Sequence, residues 1–404
     1  MLFVPPTHSY APPAMRALFL FNHDAGHQVA HLAGIAAATA RLHPDIETVA
    51  AFATPSIKAR LDSLIAPEDA ALIRWEDLSL SPLQAAVARP FDRVFPASRL
   101  WRLRAHRQLF GSADMIISTE RTCLRLKKDL PQSRMPLFAK VPHGAGDRSV
   151  AYHPDYRRFD RSFVAGPKVV DQLVAHGVER DRLVIVGYPK FEGVDLDGAT
   201  DFFGNGRPTF VYNPHFDPNL SSWYSSGPDL LRWFAGPEGR RFNLIFAPHV
   251  MLFRKRLHVS PEYRIAHLRP DIPAEALAAD NILVDLDGPR LFDMSYTLSA
   301  DAYIGDVSSQ IYEFLVHPRP AFFIDSRKQR KAQDDEWHLF WDAGPVVHDC
   351  AQLMKLLPDH ARIGAHYRAR QEEIFRYTID ITDTPPSTRA ANAIAEAIRS
   401  RADR

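Results

Sequence analysis

The chain has 404 residues, 46% hydrophobic and 24% charged, with a formal net charge of +1. That composition is ordinary for a soluble globular enzyme of roughly two to three domains, and it excludes a wholesale nucleic-acid binder, which would be strongly basic. Cys123 and Cys350 stand far apart and outside any C-x-x-C pair, which excludes a disulfide framework and a zinc knuckle.

No run approaches the ~18 uninterrupted apolar residues of a membrane-spanning helix. Met1 to Pro13 is proline-rich without a basic stretch, and Ala17 to Phe21 is too short for a signal segment, so a cytoplasmic chain is expected.

Arg16 to Asn22 is a short apolar run bounded by polar residues, the signal of a buried strand. His27 to Leu42 has helical composition, Asp45 to Ala53 reads as a second strand, and Lys58 to Ile65 as a helix. Ala71 to Trp75 is a third strand candidate. Asp114 to Ser118, Leu137 to Val141, Arg161 to Ala165 and Leu183 to Gly187 complete a first half. A weak linker rich in Gly and Asp runs to Pro208, and then the rhythm restarts. Strands are expected at Thr209 to Tyr212, Asn243 to Ala247, Ile282 to Asp285, Ala302 to Ile304 and Ala321 to Ile324, with one more at Val346 and Val347. The tail from Ile363 to Arg401 reads as two helices broken at Pro385-Pro386. Alternating short strands and helices predict an α/β fold with mostly parallel sheets, in two Rossmann-like halves with a cleft between them. Ligands of such sheets bind outside the carboxyl ends of the strands.

Four segments follow predicted strand ends. Asp306-Val307-Ser308-Ser309 closes an apolar run and opens a helical pattern, where hydroxyls, a carboxylate and outward N–H groups attract a diphosphate; an ordinary N-cap reads equally well. In Val141 to Arg148, His143 follows a strand, Gly144 and Gly146 permit close backbone approach, and Arg148 is a phosphate ligand candidate. The plain alternative is a glycine turn with a surface histidine. Phe246-Ala247-Pro248-His249 places another histidine at a strand end, as a donor to a leaving phosphate or as a surface residue. Asn213 and His215 follow the restart strand and either line the cleft or form a turn.

Other signals are discounted. Asp285-Leu286-Asp287 precedes Gly288-Pro289 and reads as a turn, not a metal site. Asp334-Asp335-Glu336, beside Arg327, Lys328, Arg330 and Lys331, reads as a solvated charged loop. Gly144-x-Gly146 lacks the rest of a dinucleotide fingerprint. No metal and no cofactor is assigned. Between Arg99 and Lys128 basic residues dominate, and Arg99, Trp101, Arg102, Arg104 and Arg107 are candidates to face an anionic membrane; the alternative is an amphipathic helix with a solvated basic face.

Taken together, these motifs resemble the CDP-glycerol glycerophosphotransferase family of teichoic-acid-type enzymes. The resemblance rests on His143-Gly144, Gly187-Tyr188-Pro189-Lys190, Phe210 to Pro214, Pro248-His249, Gly305-Asp306-Val307-Ser308-Ser309 before Ile311-Tyr312-Glu313-Phe314, and Ser387-Thr388-Arg389-Ala390. It spans His143 to the C-terminus. The residues after Gly144 depart from the family's pattern, and Asn213 replaces a common alanine.

The resemblance implies a GT-B fold: residues 1–188 as the acceptor- and membrane-side domain, 189–380 as the nucleotide-donor domain and 381–404 as a terminal helix. It implies transfer of glycerol phosphate, or a similar alditol phosphate, from a CDP-linked donor to a hydroxyl on a lipid or glycan acceptor. His143 would be the base and His249 would steady the diphosphate and the departing CMP. Gly144, Arg148, Asn213, His215, Asp306, Ser308 and Ser309 would surround the phosphates, with Asp306 capping backbone donors there rather than touching the phosphate itself. A UDP-sugar glycosyltransferase or epimerase, and a non-catalytic scaffold of envelope assembly, stand as alternatives.

Overall fold

The computed structural model describes residues 15–402 except 25, 89, 94, 147–151, 261–263, 307, 309 and 327–338. Arg148, Ser309 and the charged loop around Asp334 therefore lie outside the described residues. The chain divides into two compact units. The first holds the chain through His143, Tyr152–Glu192 and the terminal stretch from Asp380; the second holds Gly193–Ile379 and the short segment that begins at Gly144.

In the first unit, β1 (Met15–Phe21), β2 (Ile46–Phe52), β3 (Arg74–Asp77), β4 (Met115–Ser118), β5 (Leu137–Lys140), β6 (Arg161–Val164) and β7 (Leu183–Ile185) form one sheet. Its order is β3-β2-β1-β4-β5-β6-β7, and every pairing is parallel. Successive side chains of a strand point to opposite faces, so a strand apolar throughout needs cover on both. Phe19 and Phe21 pack with Ala36, Ala40, Ile394 and Ile398, whereas Leu18 and Leu20 pack with Leu103 and Phe110.

The terminal helix Pro386–Ala402 belongs to this unit and lies along the helix Ala33–Leu42. Alanines at Ala390, Ala391 and Ala395 suit that close approach. Glu192 accepts from the Ser387 amide at 2.9 Å and from its hydroxyl at 2.5 Å, which caps the helix start. Gly187 of the Gly-Tyr-Pro-Lys segment has φ of +91°, and a Cβ there would meet the Asp380 carbonyl at 2.8 Å. Only glycine satisfies both conditions.

The second unit carries β8 (Thr209–Asn213), β9 (Asn243–Phe246), β12 (Ile282–Val284), β13 (Ala302–Gly305), β14 (Ala321–Ile324) and β15 (Val346–Val347) in the order β12-β9-β8-β13-β14-β15, again parallel. Phe210, Tyr212, Phe246 and Ile304 pack under Leu230, Leu231 and Phe234 of the helix Gly227–Ala235 and Leu353 of the helix Cys350–Leu356. An antiparallel hairpin, β10 (Leu257–Ser260) with β11 (Ile265–Leu268), was not foreseen. Its four-residue strands leave Leu257, Val259 and Leu268 exposed, so no apolar run announces them.

No described helix is long and apolar enough to cross a membrane. Both cysteines are buried free thiols.

Candidate active site

In the second sheet the strand order reverses between β8 and β13, where ligands of open α/β sheets bind. The carboxyl ends of β8, β9 and β13 bring together Asn213, His215, His249, Asp306 and Ser308. The His249 amide donates to the Pro214 carbonyl at 3.0 Å, and the imidazoles of His215 and His249 lie 5.4 Å apart, with Phe216 against both.

Each ring is set by a local bond. His215 Nδ1 accepts from the Asp217 amide at 3.0 Å, and His249 Nδ1 accepts from the Met251 amide at 3.2 Å. A neutral ring held this way carries its proton on Nε2, which makes it a donor at that nitrogen. His215 is buried and His249 half-buried.

Asp306 holds backbone donors, as expected, and they lie beyond its own turn. Its carboxylate is fully buried and accepts from the His215 amide at 2.9 Å, the Ser222 amide at 2.7 Å and the Ser222 hydroxyl at 2.9 Å. It fixes the loop after β8. Burial and the neighbouring Asp306 push the Tyr212 phenol well above its ordinary value, so it stays neutral and shares a hydrogen bond with Ser222 Oγ at 2.9 Å.

Ser308 caps the start of the next helix, accepting from the Gln310 amide at 3.3 Å. The helix behind it, Gln310–Phe314, has only five residues, so any attraction for an anion there rests on local donors more than on a long macrodipole. Asn213 donates to the Ala247 carbonyl and ties β8 to β9, which gives it a scaffolding task the sequence did not suggest. Ser222 was missed altogether; its signal was a serine-rich run, Ser221 to Ser226, before a helical pattern.

His143 is held by the first unit, exposed in the bend after β5, with Gly144 half-buried behind it. Just before it, Lys140 is buried and pushed down to about 8 by desolvation. Its ammonium donates to the Thr119 carbonyl and, at 3.3 Å, to that of Val141. It thereby joins the ends of β4 and β5 and positions the turn that presents His143.

The Asp285 reading holds: Oδ1 accepts from Asp287 at 3.2 Å and from Gly288 at 2.7 Å, a turn closed on itself. Among the described residues, no group of three His, Cys, Asp or Glu side chains could hold a metal ion.

The basic region from Arg99 is not one amphipathic helix. Two short helices, Ala97–Ala105 and Arg107–Gly111, precede β4, whose four residues are buried. Arg104, Arg107 and Trp101 are exposed, Arg99 pairs with Glu120 at 3.3 Å, and Arg102 is only 8% exposed. Arg102 therefore faces inward and is not available to a membrane. Leu83, Val87, Phe91 and Phe95 add exposed apolar surface on the neighbouring turns.

No protein-family model matches this chain, and no curated protein matches its sequence. Solved structures do match its fold. The wall teichoic acid polymerase TagF aligns with a TM-score of 0.59 at 13% identity, covering 97% of this chain and 90% of that one. A TagF variant soaked with CDPG gives 0.58 at 14% identity with the same coverage. A putative UDP-N-acetylglucosamine 2-epimerase from Listeria monocytogenes gives 0.57 at 13% identity over 96% of each chain. Two parallel α/β sheets of seven and six strands, matched end to end by these structures, give this chain the GT-B fold, similar to TagF and to the UDP-N-acetylglucosamine 2-epimerases.

Proposed function

We propose that the protein transfers glycerol phosphate, or a similar alditol phosphate, from a CDP-linked donor to a hydroxyl of a lipid or glycan acceptor, releasing CMP. The observation that carries this reading is the pair of imidazoles at the switch point of the second sheet, each with Nδ1 held by a backbone amide so that Nε2 is left to donate. Such donors stabilise charge on a diphosphate as its bridge breaks. In this reading the acceptor oxygen attacks the phosphorus of the glycerol phosphate, His143 takes the hydroxyl proton, and the bond to CMP breaks toward a leaving group steadied by His249. The motif resemblance and the likeness to TagF both support it.

The epimerase likeness, at nearly the same score, keeps a second reading in view: a UDP-sugar as the ligand of the same site. Thermal stability of the purified protein against CDP-glycerol, CMP, UDP and UDP-sugars separates the two. A true ligand at ~100 times its dissociation constant adds about 2.7 kcal/mol of stability. Stabilisation by cytidine compounds alone is expected. Stabilisation by uridine compounds alone would replace transfer of an alditol phosphate with sugar-nucleotide chemistry, and silence across the panel would leave a scaffold.

The acceptor side of this reading includes an anionic membrane surface. Exposed Trp101, Phe91 and Phe95 beside Arg104 and Arg107 support it, with the two phenylalanine rings 6.3 Å apart. Each basic residue near such a surface contributes about 1 kcal/mol, so replacing Arg104 and Arg107 together by Gln should weaken binding to phosphatidylglycerol vesicles about 30-fold in co-sedimentation. Unchanged binding would remove the membrane from the reading.

A further inference from the structure

The first sheet also reverses its strand order, between β1 and β4, and the residue that follows β1 is Asn22. Asn22 is 1% exposed. Its side-chain amide donates to the Arg99 carbonyl at 2.9 Å, which pins it against the helix Ala97–Ala105, while its Oδ1 is buried without a hydrogen-bond partner. Arg102 lies one turn further along that helix. Long helical side chains lean back toward the N-terminus, which for Arg102 is the direction of the turn where Asn22 docks. Its Nε and Nη1 are also buried without a partner.

Buried polar groups of folded proteins are nearly always bonded, and a buried charge without a bonded partner is costly. The acids close enough to act on Arg102 are Asp24, Asp77 and Asp92, with Arg99 opposing them. All three acids are exposed, and none bonds to it. Asp92 accepts from the Ser98 amide and hydroxyl, and Asp77 from the Ser79 amide. A guanidinium with two unmet donors and an amide with an unmet acceptor, both anchored on one helix at the ligand-binding point of a parallel sheet, are matched by an oxyanion that carries a hydroxyl.

We infer that Arg102 and Asn22 form a phosphoryl-binding subsite in the first unit: the fork holds the phosphoryl oxygens of a phosphate ester and Asn22 accepts from a hydroxyl on the same molecule. This rests on the transfer reading only in making that ester the acceptor; the subsite itself requires no nucleotide. A planar fork that binds two oxygens at once selects phosphoryl or carboxylate groups over neutral polyols.

The test uses the full-length protein and sn-glycerol 3-phosphate, with phosphatidylglycerol vesicles as a parallel arm. Wild type at saturating glycerol 3-phosphate should melt about 5 °C higher than without it. Arg102→Met, which replaces an unbonded buried charge by an apolar chain of similar length, should fold and lose that shift. A response to the soluble ester assigns the ligand to free phosphate esters, and a response only to vesicles, which reach Arg104 and Arg107 but not the inward-facing Arg102, overturns the subsite. A wild type that responds to neither, or an Arg102→Met protein that responds as strongly as wild type, overturns the subsite. Should Arg102→Met not fold, Arg102→Lys keeps the charge without the fork and should weaken the ester at least about 10-fold, one good bidentate contact's worth; unchanged affinity there overturns the subsite equally. Because the nucleotide panel interrogates the second unit, loss of the transfer reading and loss of this subsite register in separate measurements.

Discussion

His143→Ala should lower kcat by about 10²- to 10⁴-fold while leaving donor affinity nearly unchanged, the range expected when a positioned base is removed. An acceptor hydroxyl is a poor nucleophile at neutral pH, and proton removal matters only as the new bond forms. The loss therefore falls on the transition state and not on the bound donor. His143 is exposed in the bend after β5, so the substitution removes no buried packing, and the melting temperature should hold. Steady-state kinetics with CDP-glycerol, paired with equilibrium binding of the donor, checks the split. Equal losses in turnover and donor affinity would assign His143 to donor binding and leave the base unassigned.

Asp306→Ala should destabilise the second unit by about 3–5 kcal/mol, because it strips a buried carboxylate from partners that remain buried. The amides of His215 and Ser222 and the Ser222 hydroxyl all donate to that carboxylate, and none of these sites is open to water. Asp306→Asn keeps one acceptor oxygen but turns an amide nitrogen toward a donor, so its cost should be smaller but still clear. Denaturant unfolding should show a lower midpoint with an unchanged slope. Nucleotide-induced stabilisation should fall in parallel, since the His215 loop loses its anchor. A change below about 1 kcal/mol would mean that these bonds contribute little net stability.

The buried strands were readable from the chain because a parallel sheet covered on both faces demands continuous apolar segments. Arg16 to Asn22, Asn243 to Ala247 and Ala302 to Ile304 are such runs, and the strands Met15–Phe21, Asn243–Phe246 and Ala302–Gly305 fall on them. The break at Pro385-Pro386 was equally plain, since the terminal helix starts at Pro386. The hairpin β10–β11 was not, because its strands have only four residues each and β10 turns its apolar Leu257 and Val259 to solvent while burying His258 and Ser260. Inside the basic stretch from Arg99 to Lys128 the strand at Asp114 to Ser118 was readable, whereas the inward turn of Arg102 was not.

By itself, then, the sequence determined the parallel α/β class, the restart that makes two units, and which strand ends carry histidines and hydroxyls. Those properties are local: they depend on periodicity, glycine and proline placement, and cap chemistry within a few residues. Tertiary structure alone decided what the polar residues do. Asp306 bonds to groups 84 and 91 residues away, Asn22 to a carbonyl 77 residues away, and Arg102 turns inward from a helix whose neighbouring arginine, Arg104, faces solvent. A carboxylate or a guanidinium reads alike in sequence whether solvated, capping or buried. Its task is set by which distant backbone groups would lack a partner without it, and only the closed fold brings those groups within bonding distance.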